Sequence, residues 1–292
     1  MKYDVCIIGS GAGGAPIAYE LSRAGYKVVV LEKGPNYKEE DFSKDEIAVS
    51  RRDIYTPLLK DERHVINDRE QDGSVTRYDG AEYNWSFWNG SMVGGSSNLM
   101  SGYFHRMKPD DFRIKSKYGK IEGANIVDWT IRYNDLDASY AIFVTVTGVS
   151  GDIVKHKFSE PRSTKNFPYQ MLEVNSATKW FDHTCKNLGY ESIPTPRAIL
   201  PHNALDRNGC SYSNFCGSYG CSSDAKGSAR AALLNNAVAS GNVEIRAESK
   251  VFKLETDEKG NVTSVLYYNN EGQERSVSAN EYVVACQAIE TS

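Results

Sequence analysis

Tyr3-Asp4-Val5-Cys6-Ile7-Ile8-Gly9-Ser10-Gly11-Ala12-Gly13-Gly14 is the stretch on which the fold turns. Its first six residues predict a short buried strand, and a glycine-rich turn follows at once. Ala15 to Leu21 reads as a helix with Gly25 as its stop, and Val28-Val29-Val30-Leu31 as a second buried strand closing on Glu32. Strand, G-x-G-x-x-G, helix, strand and acidic residue together make a dinucleotide-binding βαβ unit. Each part has a physical task. Gly9 allows the tight turn, Gly11 lets the backbone approach a pyrophosphate, and Gly14 lets the helix pack close to the strand. The helix N-terminus directs N–H groups and partial positive charge at phosphates. Glu32 stands where a carboxylate accepts hydrogen bonds from a ribose diol, which favours FAD or NAD over NADP.

The bulk of the chain narrows the field further. At 292 residues it holds one large or two modest domains. A content of 40% hydrophobic and 25% charged residues suits a soluble globular protein. The net charge of -4 gives no basic footprint, so nucleic acid is not an expected partner. No apolar run reaches the roughly 20 residues a bilayer-spanning helix needs, so an integral membrane protein is not expected. The first strand starts almost at Met1, leaving no room for a basic and apolar leader.

Residues 35 to 80 read as a polar, irregular surface excursion. Asn84-Trp85-Ser86-Phe87-Trp88-Asn89 then leads into Gly90-Ser91-Met92-Val93-Gly94-Gly95-Ser96-Ser97-Asn98, where three glycines among small hydroxyl residues predict close approach of backbone to something flat or bulky. Pro109 to Phe112 opens a short helix, and helices are expected from Tyr133 to about Val146, Asn175 to Asn187 and Lys226 to Ala239, with Gly189 and Gly241 as stops for the last two. Val243-Glu244-Ile245 reads as a strand. Runs at 250–256, 262–268 and 274–279 read as a three-stranded meander, and Glu281 to Cys286 as a further buried strand. The expected class is α/β: a Rossmann-type dinucleotide domain with a β-meander, plus part of an α+β substrate domain. The boundaries fall at 1–150 with 225–292 for the first and 151–224 for the second.

By residue 98 the chain resembles the glucose-methanol-choline (GMC) oxidoreductases, in which a G-x-x-x-G-G-S-S segment lies beside the FAD isoalloxazine. Gly90, Gly94, Gly95, Ser96 and Ser97 occupy that segment here, with Asn98 after them, while Met100 stands where the family has Asn or His. Phe104-His105-Arg106-Met107-Lys108-Pro109-Asp110-Asp111-Phe112, Asp128-Trp129, Tyr133-Asn134-Asp135-Leu136 and Gly148-Val149-Ser150-Gly151 resemble the gluconate and sugar dehydrogenase large subunits of that family. Pro196 to Ile199, Gly220-Cys221 and Ala225 to Ser228 extend the likeness. The resemblance implies FAD, cradled by Gly9, Gly11 and Gly14 at the pyrophosphate, Glu32 at the ribose, Val251 at the adenine edge, and Gly90 to Asn98 at the flavin ring. It implies oxidation of a CH–OH group by hydride transfer to flavin N5, with electrons leaving to a protein or quinone acceptor. An oxidase using O₂, or a flavin-binding fragment without turnover, are the alternatives. Ala288 to Ser292 enters the family's second signature with Gln287 in place of Gly or Ser, so the catalytic histidine is expected beyond Ser292 and the catalytic half outside this chain. His64, His105, His156, His183 and His202 are expected as surface or packing residues.

Cys210, Cys216 and Cys221 lie in a Gly/Ser/Tyr loop. In some sugar dehydrogenases of the same branch, three cysteines in a similar loop hold a [3Fe–4S] cluster that relays electrons to a cytochrome c subunit. A disulfide with one thiol left over, a zinc site with His202, and plain buried thiols are the competing readings. Cys6, Cys185 and Cys286 are expected as packed apolar residues. The resemblance also implies a small partner subunit whose signal would carry the chain to the periplasm, while a cytoplasmic location is equally compatible with the sequence.

Overall fold

A computed structural model describes residues 3–42, 44–45, 65–79, 90–154, 156 and 159–291. The chain divides into two compact units, one of Met1–Ser101, Tyr212–Asp224 and Ser228–Ser292, the other of Gly102–Ser211 and Ala225–Gly227. Trp85, Trp88 and the whole stretch 46–64, with His64, lie outside the described residues.

The first unit is built on a parallel sheet of β1 (Tyr3–Ile8), β2 (Val28–Leu31), β5 (Val243–Arg246) and β9 (Ala279–Val284), in the order β5-β2-β1-β9. Cys6 sits opposite Val29 on one side and Tyr282 on the other. Such a sheet must be covered on both faces, and the strands' near-continuous apolar runs reflect that. Cys6, Ile8, Val29 and Leu31 pack against Val265, Tyr267 and Val277 of an antiparallel meander, β6 (Lys250–Thr256), β7 (Val262–Tyr268) and β8 (Glu274–Val277). On the opposite face lie α1 (Gly14–Arg23) and a buried helical segment, Ala229–Leu234 running on to Ala239. Gly14 shows how tight that packing is. A Cβ there would lie 2.0 Å from the Gly9 carbonyl oxygen and 3.1 Å from Ile7.

Helix α1 ends as the sequence predicts. Gly25 takes φ +85° one residue beyond the cap, in the left-handed region that glycine occupies without strain. The helix expected from Lys226 begins instead at Ala229, because the Ser228 hydroxyl caps it by accepting the Ala231 N–H at 3.1 Å. The run 274–279 is split between β8 and the start of β9. Within the expected polar excursion, β3 (Val65–Arg69) and β4 (Val75–Asp79) form an antiparallel hairpin turning at Gly73, φ +85°. Its residues are mostly exposed on both faces, so no apolar alternation announces it.

The second unit holds the helices Tyr133–Thr147 and Ser176–Asn187, the latter capped by Asn175, whose side chain accepts the Thr178 N–H at 2.8 Å. Pro109–Phe112 forms one tight 3₁₀ turn before a short helix, Ile114–Tyr118. Phe112 is fully buried, edge-on to Trp129 and Tyr133, so this aromatic knot anchors the start of the long helix. Among the described residues no helix is long and apolar enough to cross a membrane.

Candidate cofactor site

The sheet order reverses at β1, with β2 reached on one side and β9 on the other. In open α/β sheets a ligand crevice lies at the strand ends beside such a reversal. A cleft of about 630 Å³ opens there, lined by Gly9, Gly11, Glu32, Gly90, Gly95 and Val251 among others. Six of the residues expected to hold the cofactor thus share one cavity. Gly14, Gly94, Ser96 and Asn98 are not among the residues that line it.

The glycines divide the work unequally. A Cβ on Gly9 would meet the Ala285 carbonyl oxygen at 2.5 Å, and the residue takes φ +94°, so it is fixed by the backbone of the turn that follows β9. A Cβ on Gly11 would meet nothing within 4 Å. Gly11 lines the cleft just before α1, whose first turn carries no acidic side chain to compete with an anion. A pyrophosphate fits the space and its electrostatics.

Glu32 is 7% exposed and its carboxylate is a junction. Oε2 accepts the Ser10 N–H at 3.0 Å and the Ser10 hydroxyl at 2.5 Å, while Oε1 accepts the Gly34 N–H at 3.0 Å. A carboxylate has about four lone-pair sites, so Oε1 keeps capacity for a ribose hydroxyl. The Ser10 hydroxyl in turn accepts the Gly94 N–H at 3.0 Å, which joins the first glycine turn to the second. Ser10 therefore matters as much as the glycines around it. A hydroxyl residue between two glycines was the available signal.

The second glycine segment is braced from within. Gly94 takes φ +90° and starts the 3₁₀ turn Gly95–Leu99. The Asn98 amide donates to the carbonyls of Val93 (2.9 Å) and Gly95 (3.1 Å), the Ser96 hydroxyl accepts the Gly90 N–H (2.9 Å), and the Ser97 hydroxyl donates to Gly94 (2.6 Å) and accepts the Ala229 N–H (2.9 Å). These side chains shape the loop and leave its backbone, at Gly90 and Gly95, to face the cleft.

Val251 lines the cleft at an irregularity in the β6–β7 pairing between Val251 and Lys253. A bulge leaves backbone groups out of the ladder, where a heterocycle edge can use them. The remaining wall comes from the turn after β9, with Ala285, Cys286 and Gln287. The Cys286 thiol donates to the Ile8 carbonyl at 3.3 Å. Burial pushes its pKa up, and the Glu32 and Glu290 carboxylates add to that, so it is held as the neutral thiol. Burial raises the Cys6 thiol to about 12.

Cys216 and Cys221 belong to the first unit and Cys210 to the second, all three half-buried. Cys221 Sγ lies 3.5 Å from the Ser223 hydroxyl. Among the described residues no three His, Cys, Asp or Glu side chains are gathered in a way that would hold a metal ion, so the structure offers no assembled ligand set for a cluster or for zinc. His105, His156, His183 and His202 all belong to the second unit, and no described histidine lines the cofactor cleft.

Comparison with known proteins gives the class. Residues 24–292 match the family described as GMC oxidoreductase, and residues 4–41 match that described as FAD dependent oxidoreductase. The chain belongs to the GMC oxidoreductases. It is 29% identical to 6'''-hydroxyparomomycin C oxidase of Streptomyces lividus, over 99% of this chain and 49% of that protein. It is 27% identical to the gluconate 2-dehydrogenase flavoprotein of Pantoea cypripedii, over 94% and 48%. The crystal structure of a formate oxidase shares the fold, with a TM-score of 0.61 at 16% identity over 99% of this chain and 46% of that one. The chain spans about half the length of the curated relatives it matches.

Proposed function

We propose that this chain cradles FAD for an oxidoreductase acting on the CH–OH group of an alcohol or sugar. The observation that carries the reading is the Glu32–Ser10–Gly94 junction, which ties a ribose-binding carboxylate and both glycine turns around one cleft. Gly9 and Gly11 would hold the pyrophosphate, Glu32 the adenosine ribose, the bulge at Val251 the adenine edge, and the backbone at Gly90 and Gly95 the flavin ring. The flavin supplies hydride acceptance at N5. This chain's residues bind and orient it.

For the electron acceptor we infer a protein, such as a cytochrome c subunit, or a quinone, on the likeness of 104–112, 133–136 and 148–151 to sugar dehydrogenase large subunits. The relative named as an oxidase supports the other reading, in which O₂ takes the electrons. Anaerobic reduction of the complete enzyme by a panel of alcohols and sugars, followed by stopped-flow reoxidation, separates the two. Fast reoxidation by a quinone analogue and slow reoxidation by O₂ supports the dehydrogenase. The reverse order supports an oxidase, and no reduction by any hydroxyl donor overturns the function.

A further inference from the structure

The second unit contains a cavity of about 840 Å³ whose lining includes no residue assigned to the cofactor, and Arg106 and Arg162 both line it. Their side chains are 1% and 9% exposed. Arg106 Nη1 donates to Asp137 at 2.5 Å and lies 3.4 Å from the Tyr133 hydroxyl. Arg162 directs Nε (2.9 Å) and Nη2 (2.5 Å) at one oxygen of Glu160. Arg106 Nε and Nη2 and Arg162 Nη1 are buried without an acceptor among the described residues. Each such orphaned donor costs about 1–3 kcal/mol, and more when charged. Three around one cavity call for an acceptor that enters it.

The two arginines are held as a pair. The Tyr133 hydroxyl donates to the Pro161 carbonyl at 2.5 Å, and Asp137 takes a further hydrogen bond from Ser163, so the partners of Arg106 grip the chain on both sides of Arg162. The Arg106 guanidinium lies 5.1 Å from the Tyr140 ring centre and that of Arg162 4.5 Å from Phe167, which fixes both planes. Nε and Nη2 of Arg106 form the side-on fork of a guanidinium, the edge that receives two oxygens of a carboxylate or phosphate. Asp137 and Glu160 each balance one positive charge, so the unused property of the site is directed donor capacity.

We propose that this cavity is a binding site for a small oxyanion, a carboxylate or phosphate group, received on the Nε/Nη2 fork of Arg106 and on Nη1 of Arg162. Calorimetric titration of the 292-residue chain with inorganic phosphate, and separately with acetate, at constant ionic strength tests it. Saturable one-to-one binding is expected, weakened at least tenfold in Arg162→Gln. It should weaken comparably in Arg162→Lys, which keeps the charge over Phe167 but not the planar donors. The stronger of the two probes identifies the headgroup. Linear uptake, an equal response to glycerol, or unchanged affinity in the folded Arg162→Lys variant overturns the assignment.

Discussion

The Ser10 hydroxyl donates to Glu32 Oε2 at 2.5 Å while accepting the Gly94 N–H at 3.0 Å, so one side chain couples the ribose carboxylate to the flavin-side glycine turn. Ser10→Ala removes a buried hydrogen bond to a carboxylate and orphans the Gly94 N–H. A loss of about 1–3 kcal/mol of stability is expected in urea unfolding. FAD affinity should fall about tenfold, since the two walls of the cleft are no longer tied. A variant with unchanged affinity would show that the turns are fixed by something else.

Gly11 and Gly14 make opposite predictions for the same substitution. Gly14→Ala places a methyl 2.0 Å from the Gly9 carbonyl oxygen, forcing α1 off β1, and should yield little soluble, folded chain. Gly11→Ala meets nothing within 4 Å in the protein. It should fold within about 0.5 kcal/mol of wild type and lose FAD affinity, because its methyl fills the space offered to the pyrophosphate. Circular dichroism and flavin fluorescence titration on the pair separate packing from binding.

Gln287 takes φ +67° at the turn after β9. A side chain there costs about 1–2 kcal/mol relative to an unstrained residue, and glycine avoids that cost. Gln287→Gly is expected to raise stability by about 1 kcal/mol, read as a higher urea midpoint at unchanged slope.

Tyr3, Glu244, Arg246 and Tyr267 clamp the sheet to the meander, with Arg246 Nε 2.7 Å from Glu244 Oε1, Nη1 3.0 Å from the Tyr267 hydroxyl and Nη2 2.9 Å from that of Tyr3. The hydrogen bond from Arg246 holds the Glu244 carboxyl below its ordinary 4.5, and the Tyr3 hydroxyl adds to this. A depressed folded pKa contributes stability that is complete above the unfolded value and lost as pH falls through the folded one. Wild type should therefore lose more stability than Glu244→Gln as the pH drops below about 4.5. The glutamate is 49% exposed, which keeps the difference under about 1 kcal/mol. Parallel acid titrations followed by tryptophan fluorescence would measure it.

The βαβ unit was legible because buried parallel strands are written as continuous apolar runs and the glycine turn has few other uses. The meander was legible from its turn residues, Gly260 and Gly272, both at positive φ. The hairpin β3–β4 was not, since neither of its faces is buried enough to impose an apolar period. At the site, sequence pointed to glycines of which Gly9, Gly11, Gly90 and Gly95 line the cleft, and to Ser96 and Asn98 beside them. Their side chains are spent inside the loop, a division of labour that only three-dimensional hydrogen bonding reveals. The βαβ fingerprint brings Glu32 to the glycine turn, but the bond from Ser10 to it, 22 residues away, depends on a position the fingerprint leaves open.

The most direct test of the central claim is the flavin content of the purified chain after incubation with FAD and gel filtration, read from absorbance near about 450 nm, where bound flavin absorbs. The account predicts one FAD per chain, with a dissociation constant raised at least tenfold in Glu32→Ala. A chain that is folded yet elutes without flavin, or a Glu32→Ala variant that retains it undiminished, would contradict the assignment of this cleft.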